Sequence, residues 1–159
     1  MKAGIKMTNL ERAKEFFKHD VYATSTTGIE IEEVSLHHAV VSLKIEQRHL
    51  NAANTVMGGV LFTMADFAFA VAANFDRPLT VTLASQISFL NAAKGEKLFA
   101  EAKCITEGNR TNFYEVDITD NLGTQVAKIT SNGYKMRSRF PNSYERANIS
   151  DDPYREQKA

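Results

Sequence analysis

The chain has 159 residues, of which 43% are hydrophobic and 24% charged, ordinary values for one compact domain large enough to bury a core. Nineteen basic and nineteen acidic side chains cancel at neutral pH, which removes any basic field for a nucleic-acid partner. A single cysteine, Cys104, excludes an intrachain disulfide framework, gives no zinc pattern and points to a reducing cytoplasm.

The opening MKAGIKMTNLERAKEFFKHD has no apolar run of the secretory kind, so no signal peptide is expected. Thr8 or Asn9 can cap a short amphipathic helix reaching His19, with Leu10, Ala13, Phe16 and Phe17 as its apolar stripe. His19 suits the negative end of that helix. Strand signals follow, with Ile29, Ile31, Val41, Leu43 and Ile45 alternating with Glu30, Glu32, Ser42, Lys44 and Glu46. The stretch VSLHH turns between the two runs and makes them an antiparallel pair. His37 and His38 read as a solvated turn, because adjacent strand side chains point to opposite faces and make poor metal geometry. Residues 49–57, HLNAANTVM, are polar and irregular.

Gly58-Gly59 then opens the most apolar stretch, GGVLFTMADFAFAVAANF, over residues 58–75. A helix apolar all round predicts burial all round. As a membrane span the run is of borderline length, and the central Asp66, the paired glycines and the many alanines argue against that reading. A buried Asp66 has to be paired, hydrogen-bonded or shifted in pKa, so it is either a working acid or a satisfied structural one.

The second half reads as strands over 80–89, 98–105, 112–119 and 124–134, broken by Lys94-Gly95-Glu96, Glu107-Gly108-Asn109 and Asp120-Asn121-Leu122-Gly123. Cys104 lies within an alternating strand as a small core residue. The domain is placed at 1–138, and 139–159 is a polar tail with Pro141 and Pro153. Helix, two strands, long helix and four strands make an α+β fold: a curled, antiparallel, six-stranded sheet wrapped around the long helix, the hotdog architecture. One layer cannot cover the whole helix, so a second copy is expected.

The runs HLNAANTVMGGVLFTMAD, ISFLNAAKGEKLFAEA and EGNRTNFYEVDITDNLG resemble hotdog-fold acyl-CoA thioesterases of the phenylacetate-degradation type, over roughly residues 28–136. That family carries His-x-Asn, then a His-Gly-Gly step, then a helix with Asp about eight residues later. These positions fall on His49, Asn51, Met57-Gly58-Gly59 and Asp66. The resemblance implies a cytoplasmic hydrolase that cleaves an acyl-CoA to a free acid and coenzyme A, as a homodimer or a homotetramer built as a dimer of dimers. No metal, redox cofactor, nucleic acid or membrane is called for.

Physical reasoning gives each residue a part. Free amides at a helix start, helped by the macrodipole, suit a thioester oxyanion, and Gly58 has no side chain to block the carbonyl. Asp66 acts as general base or nucleophile. Asn51 holds the carbonyl or the water, and Thr82, matching a family hydroxyl position, orients the water; Asn51 could instead form an Asx turn. Met57, Gly59 and His49 flank the thioester, although His49 reads better as a loop-fixing hydrogen-bonder. Arg110, then Lys94 and Lys97, are the candidates for the coenzyme A phosphates. Phe62 and Phe69 could line the acyl group or belong to the core. Gly58 and Asp66 are separated by about 12 Å of helix rise. They cannot serve one carbon within a chain, so the site is expected to be shared between two subunits.

Met57 departs from the family's histidine and cannot replace its hydrogen bonds. Asn54 and Asn91 depart from a common glycine and a loop that is often basic. Met57 favours one alternative, a non-catalytic acyl-CoA or fatty-acyl binder. It also removes the histidine that a second alternative, a hydroxyacyl-thioester dehydratase, would want.

Overall fold

Residues 7–139 are described in the computed structural model. Helix α1 (Asn9–Phe17) starts from a reciprocal cap: the Glu11 amide donates to the Thr8 hydroxyl at 3.2 Å, and the Thr8 amide donates to the Glu11 carboxylate at 2.7 Å. It ends at Phe17, whose ring meets Phe67 edge-on at 5.9 Å, and not at His19. Lys18, His19 and Asp20 offer the core no further apolar group. A wide turn of π type, Tyr22–Thr27, follows and closes on Gly28 at φ 87°, a conformation suited to glycine.

Six strands form one antiparallel sheet: β1 (Glu30–Ser35), β2 (His38–Lys44), β3 (Pro78–Phe89), β4 (Lys97–Glu107), β5 (Thr111–Asp120) and β6 (Gln125–Arg139). Their order in space is β1-β2-β4-β5-β6-β3. The long helix α2 (Gly58–Asn74) carries the chain from β2 to the far edge, and the last three strands fill the gap. Alternation along the strands turns Ala39, Val41, Leu43, Leu98, Ala100, Ala102, Tyr114, Val116, Ile118 and Ile129 inward, all fully buried against α2. Met64, Ala68, Phe69 and Val71 are their helix partners, and each large side chain so buried stabilises the fold by about 1.5–3 kcal/mol. This is the curled sheet on a helix expected from the sequence. The polar tail lies outside the described residues apart from Arg139, which ends β6.

Two turns are tied together by Asp120. Its carboxylate accepts from the amides of Lys94 (2.7 Å) and Gly95 (2.9 Å) with one oxygen, and of Leu122 (2.9 Å) and Thr124 (2.8 Å) with the other. Burial alone would raise this carboxyl; the Lys94, Thr124, Gly95 and Leu122 amides outweigh it and hold it well below the ordinary range. A depressed carboxyl stabilises the fold above its unfolded pKa of about 3.9, and that contribution is lost as pH falls below it. Asp120→Ala is therefore expected to lower Tm by several degrees at pH 7, with the gap to wild type closing as thermal scans move below about pH 4.

One layer does not cover all of α2, as expected. In the single chain Gly59, Phe62 and Asp66 form an open stripe at i, i+3 and i+7 beside the unpaired edge of β3. Apolar periodicity cannot tell which layer covers a face, and one sheet covers only part of this helix.

The expectation of a solvated histidine turn is corrected. His37, at φ 62°, places Nδ1 3.2 Å from the Tyr114 hydroxyl and 3.2 Å from Glu107, while Arg77 lies 3.1 Å from Nε2. His38 bonds Glu101 at 2.9 Å. Although His37, Cys104 and Glu107 are close together, Arg77 and Lys135 already grip the Glu107 carboxylate. Arg77 donating to Nε2 keeps the His37 proton on Nδ1, so the group does not fit a metal ion.

Candidate functional site

The loop before α2 is fixed from within the chain. His49 is 2% exposed; its Nδ1 accepts from the Glu46 amide at 3.0 Å, and Nε2 donates to the Thr27 carbonyl at 2.8 Å. Both nitrogens are spent, so His49 holds the loop and does not face a substrate. Its carbonyl accepts the Met57 amide at 2.9 Å, which sets the point where the helix begins. Asn51 Oδ1 accepts from the Ala53 amide (2.9 Å), the Thr55 amide (3.2 Å) and the Thr55 hydroxyl (3.2 Å), an Asx turn that leaves only the side-chain NH₂ for other work.

Met57 occupies the N-cap in an extended conformation, φ −64° and ψ 135°, with no side-chain capping bond. The helix's own ladder begins later, with the Val60 amide bonded to the Met57 carbonyl at 2.9 Å. The Gly58 and Gly59 amides, among the described residues, have no intrachain acceptor and carry the positive end of the helix dipole. Such amides can stabilise an oxyanion.

Two turns along the same face, Asp66 reaches the surface of the single chain. Neighbouring apolar atoms still push its carboxyl up from the ordinary value, only partly offset by the Thr82 hydroxyl, which donates to Oδ1 at 3.4 Å. Thr82 lies on β3, the open edge. Asp66 and Thr82 are thus brought together, while the Gly58 amide stays at the head of the helix, about two turns away.

The remaining candidates separate. Arg110 precedes β5 and donates to the Tyr134 hydroxyl at 3.2 Å, whereas Lys94 is anchored to Asp120 at the other end of that ten-residue strand, about 33 Å away. Lys97 is paired with Glu32 at 2.8 Å and sits over Phe99. One chain therefore does not gather the three cations. Phe69, 1% exposed and edge-on to Tyr114 at 5.1 Å, belongs to the core; Phe62, 38% exposed, lies on the open stripe. Cys104 is half-buried, with its thiol pushed up chiefly by burial.

Two neighbours were not singled out from the sequence. Asp20, in the turn after α1, has its carboxyl raised by burial and by the charge of Asp66. Phe89, the last residue of β3, lays its ring against Gly58. Alternation in β3 could have marked Phe89 as facing the helix, but nothing local showed which helix residue it would meet.

Comparison with known proteins gives a consistent match. A thioesterase superfamily model fits residues 53–127. An Archaeoglobus fulgidus protein named "Putative esterase" is 32% identical over 137 residues, 86% of this chain and 89% of that one. The acyl-coenzyme A thioesterase PaaI of Escherichia coli is 29% identical over 127 residues, 79% of this chain and 90% of that one. Its structure superposes with a TM-score of 0.73 over 83% of this chain and 99% of PaaI, at 26% identity. A hypothetical thioesterase of Streptococcus pneumoniae, solved with coenzyme A, gives a TM-score of 0.72 at 30% identity over 80% of this chain and 99% of that one.

Proposed function

The chain belongs to the hotdog-fold thioesterase superfamily, and from that membership we propose that it hydrolyses an acyl-CoA thioester to a free acid and coenzyme A. The observation that carries this reading is the open stripe of α2. It joins uncapped glycine amides at the helix start to a carboxylate of raised pKa, held by a hydroxyl from the next strand. Asp66 takes a proton from a water whose oxygen attacks the thioester carbonyl, or attacks the carbonyl itself to give a mixed anhydride that water then hydrolyses to the free acid. The Gly58 N–H donates to the oxygen on which negative charge develops. The C–S bond breaks, and the proton released by water passes to the sulfur so that coenzyme A leaves as the thiol. Thr82 orients the water, and the free NH₂ of Asn51 steadies the carbonyl.

The site is shared by two subunits. Within one chain Gly58 and Asp66 are about 12 Å apart along the helix. The stripe of Gly59, Phe62 and Asp66 lies beside a strand edge with Val81 (40%), Leu83 (57%) and Phe89 (59%) exposed, a surface suited to a second copy. Two copies related by a two-fold axis bring one subunit's Asp66 toward the other's Gly58, twice per dimer. Among the described residues no helix is long and apolar enough to cross a membrane.

A panel of acyl-CoAs varied in chain length and aromatic content, followed by thiol release, tests the reading. Turnover of at least one member at kcat of order 1 per second or faster is expected. Tight binding without cleavage across the panel would instead favour the non-catalytic binder, the reading that Met57, 52% exposed at the helix start, supports.

A further inference from the structure

A Cβ on Gly58 would lie 2.9 Å from Cζ of Phe89 and 3.2 Å from Cε1, nearer than side chains tolerate. The glycine therefore makes room for a ring of this same chain. Phe89 ends β3, paired with Ala127, and yet its ring remains 59% exposed. On the other side, Met57 folds back so that its methyl would be 2.8 Å from a Cβ on Gly59. Leu90 is 47% exposed, and Phe62, one turn up the helix from Gly58, is 38% exposed. The head of α2 is thus flanked by the phenyl of Phe89 and the thioether of Met57, neither of which can donate a hydrogen bond.

A carbonyl bound to the Gly58 amide must place its next carbons against these groups. A hydroxyl or carboxylate there would give up water and find no partner, while a hydrocarbon would lose nothing. We propose that Phe89, with Met57 beside it, is an acyl-sorting wall. It admits thioesters whose α and β carbons carry only hydrocarbon and rejects those bearing a hydroxyl or carboxylate at these positions. This inference rests on the thioesterase reading and adds the substrate class and the residues that select it. It also gives Gly58 a second reason to be glycine: the ring needs the space.

Two measurements on the full chain test it. The first is a thermal-unfolding cycle with Gly58→Ala, Phe89→Ala and the double variant. Gly58→Ala keeps the amide and adds only a methyl, so its loss of Tm is expected to shrink sharply or vanish when Phe89→Ala is also present; equal losses in both backgrounds overturn the packing. The second compares butyryl-CoA with 3-hydroxybutyryl-CoA. Wild type is expected to favour the former by about tenfold or more in kcat/KM, and Phe89→Ala to narrow that ratio by about tenfold. A ratio the same in both proteins overturns the wall, even if both rates fall together, which is what a purely structural role would give. Should wild type cleave neither thioester, the hydrolase reading is decided by the wider acyl-CoA panel. The wall is then judged by the two dissociation constants: a preference for butyryl-CoA that Phe89→Ala erodes supports it, and equal affinities or no binding overturn it.

Discussion

Asp66→Asn is expected to cut kcat/KM for thioester hydrolysis by roughly 10²–10⁴-fold while leaving Tm unchanged or slightly raised. The two halves of this expectation have one cause. Apolar surroundings push the Asp66 carboxyl up, and the only partner described for it is a long 3.4 Å bond from Thr82. A group whose pKa is raised on folding makes the folded state less stable wherever it is ionised, so at pH 7 its charge is a burden on the fold. Asparagine removes that charge and keeps the shape. A structural aspartate would behave in the opposite way, as Asp120 does: there four backbone amides reward the ionised form. Measuring Tm and kcat/KM on the same preparation separates the two roles, and a variant that loses stability but keeps its rate would remove Asp66 from the chemistry. The pH profile carries the same sign. Base or nucleophile, Asp66 must be ionised to act, so kcat/KM should fall on the acid side with a midpoint above the ordinary value of about 3.9, and that limb should be missing from the residual activity of Asp66→Asn.

What the sequence disclosed was what is local. Alternation in 98–105 and 112–119 places those strands because inward and outward residues differ within each. In 80–89 it marks a strand without its inward face, since Val81, Leu83 and Phe89 are exposed and Thr80 is buried. Gly58-Gly59 marks the helix start because the apolar run begins there. Where the outcome depended on residues far apart in the chain, the local pattern was silent. His37 meets Tyr114, Glu107 and Arg77 through the folded sheet, and nothing in VSLHH announces them. The order of strands follows from where α2 delivers β3, a property of the packed helix and not of either strand. The run 58–75 reads as apolar whether a face of it is covered by its own sheet or by another molecule, which is why the stripe of Gly59, Phe62 and Asp66 was expected to be buried and is open in one chain. The candidate site was legible in kind through the resemblance that aligned Asp66 with a catalytic position. Its cations were not: Arg110 and Lys94 come at the two ends of β5, a separation that a list of basic residues cannot convey.

That separation of parts along α2 leads to a second large effect. Gly58→Pro is expected to abolish hydrolysis while keeping the fold at a Tm close to that of Gly58→Ala, and activity should return when it is mixed with Asp66→Asn. Gly58 is the first helical residue, where proline is favoured, and Met57 before it already has the extended backbone that proline demands, at φ −64° and ψ 135°. The substitution deletes the N–H that would stabilise the oxyanion; loss of one such donor costs about 10²–10³ in rate. The added ring meets Phe89 as the methyl of Gly58→Ala does, so a comparable loss of Tm is expected, relieved in the same way by Phe89→Ala. If each site takes Gly58 from one subunit and Asp66 from the other, unfolding and refolding an equal mixture of the two inactive variants makes half of the dimers mixed. Each mixed dimer then holds one site with both defects and one with neither, so about a quarter of wild-type activity should reappear. A site contained within a single chain would restore nothing, since every chain in the mixture carries a defect. Recovery near a quarter would place the catalytic carboxylate and the oxyanion donor on different subunits; a mixture as inactive as its components would leave the rise of about 12 Å between Gly58 and Asp66 unbridged and refute the shared site.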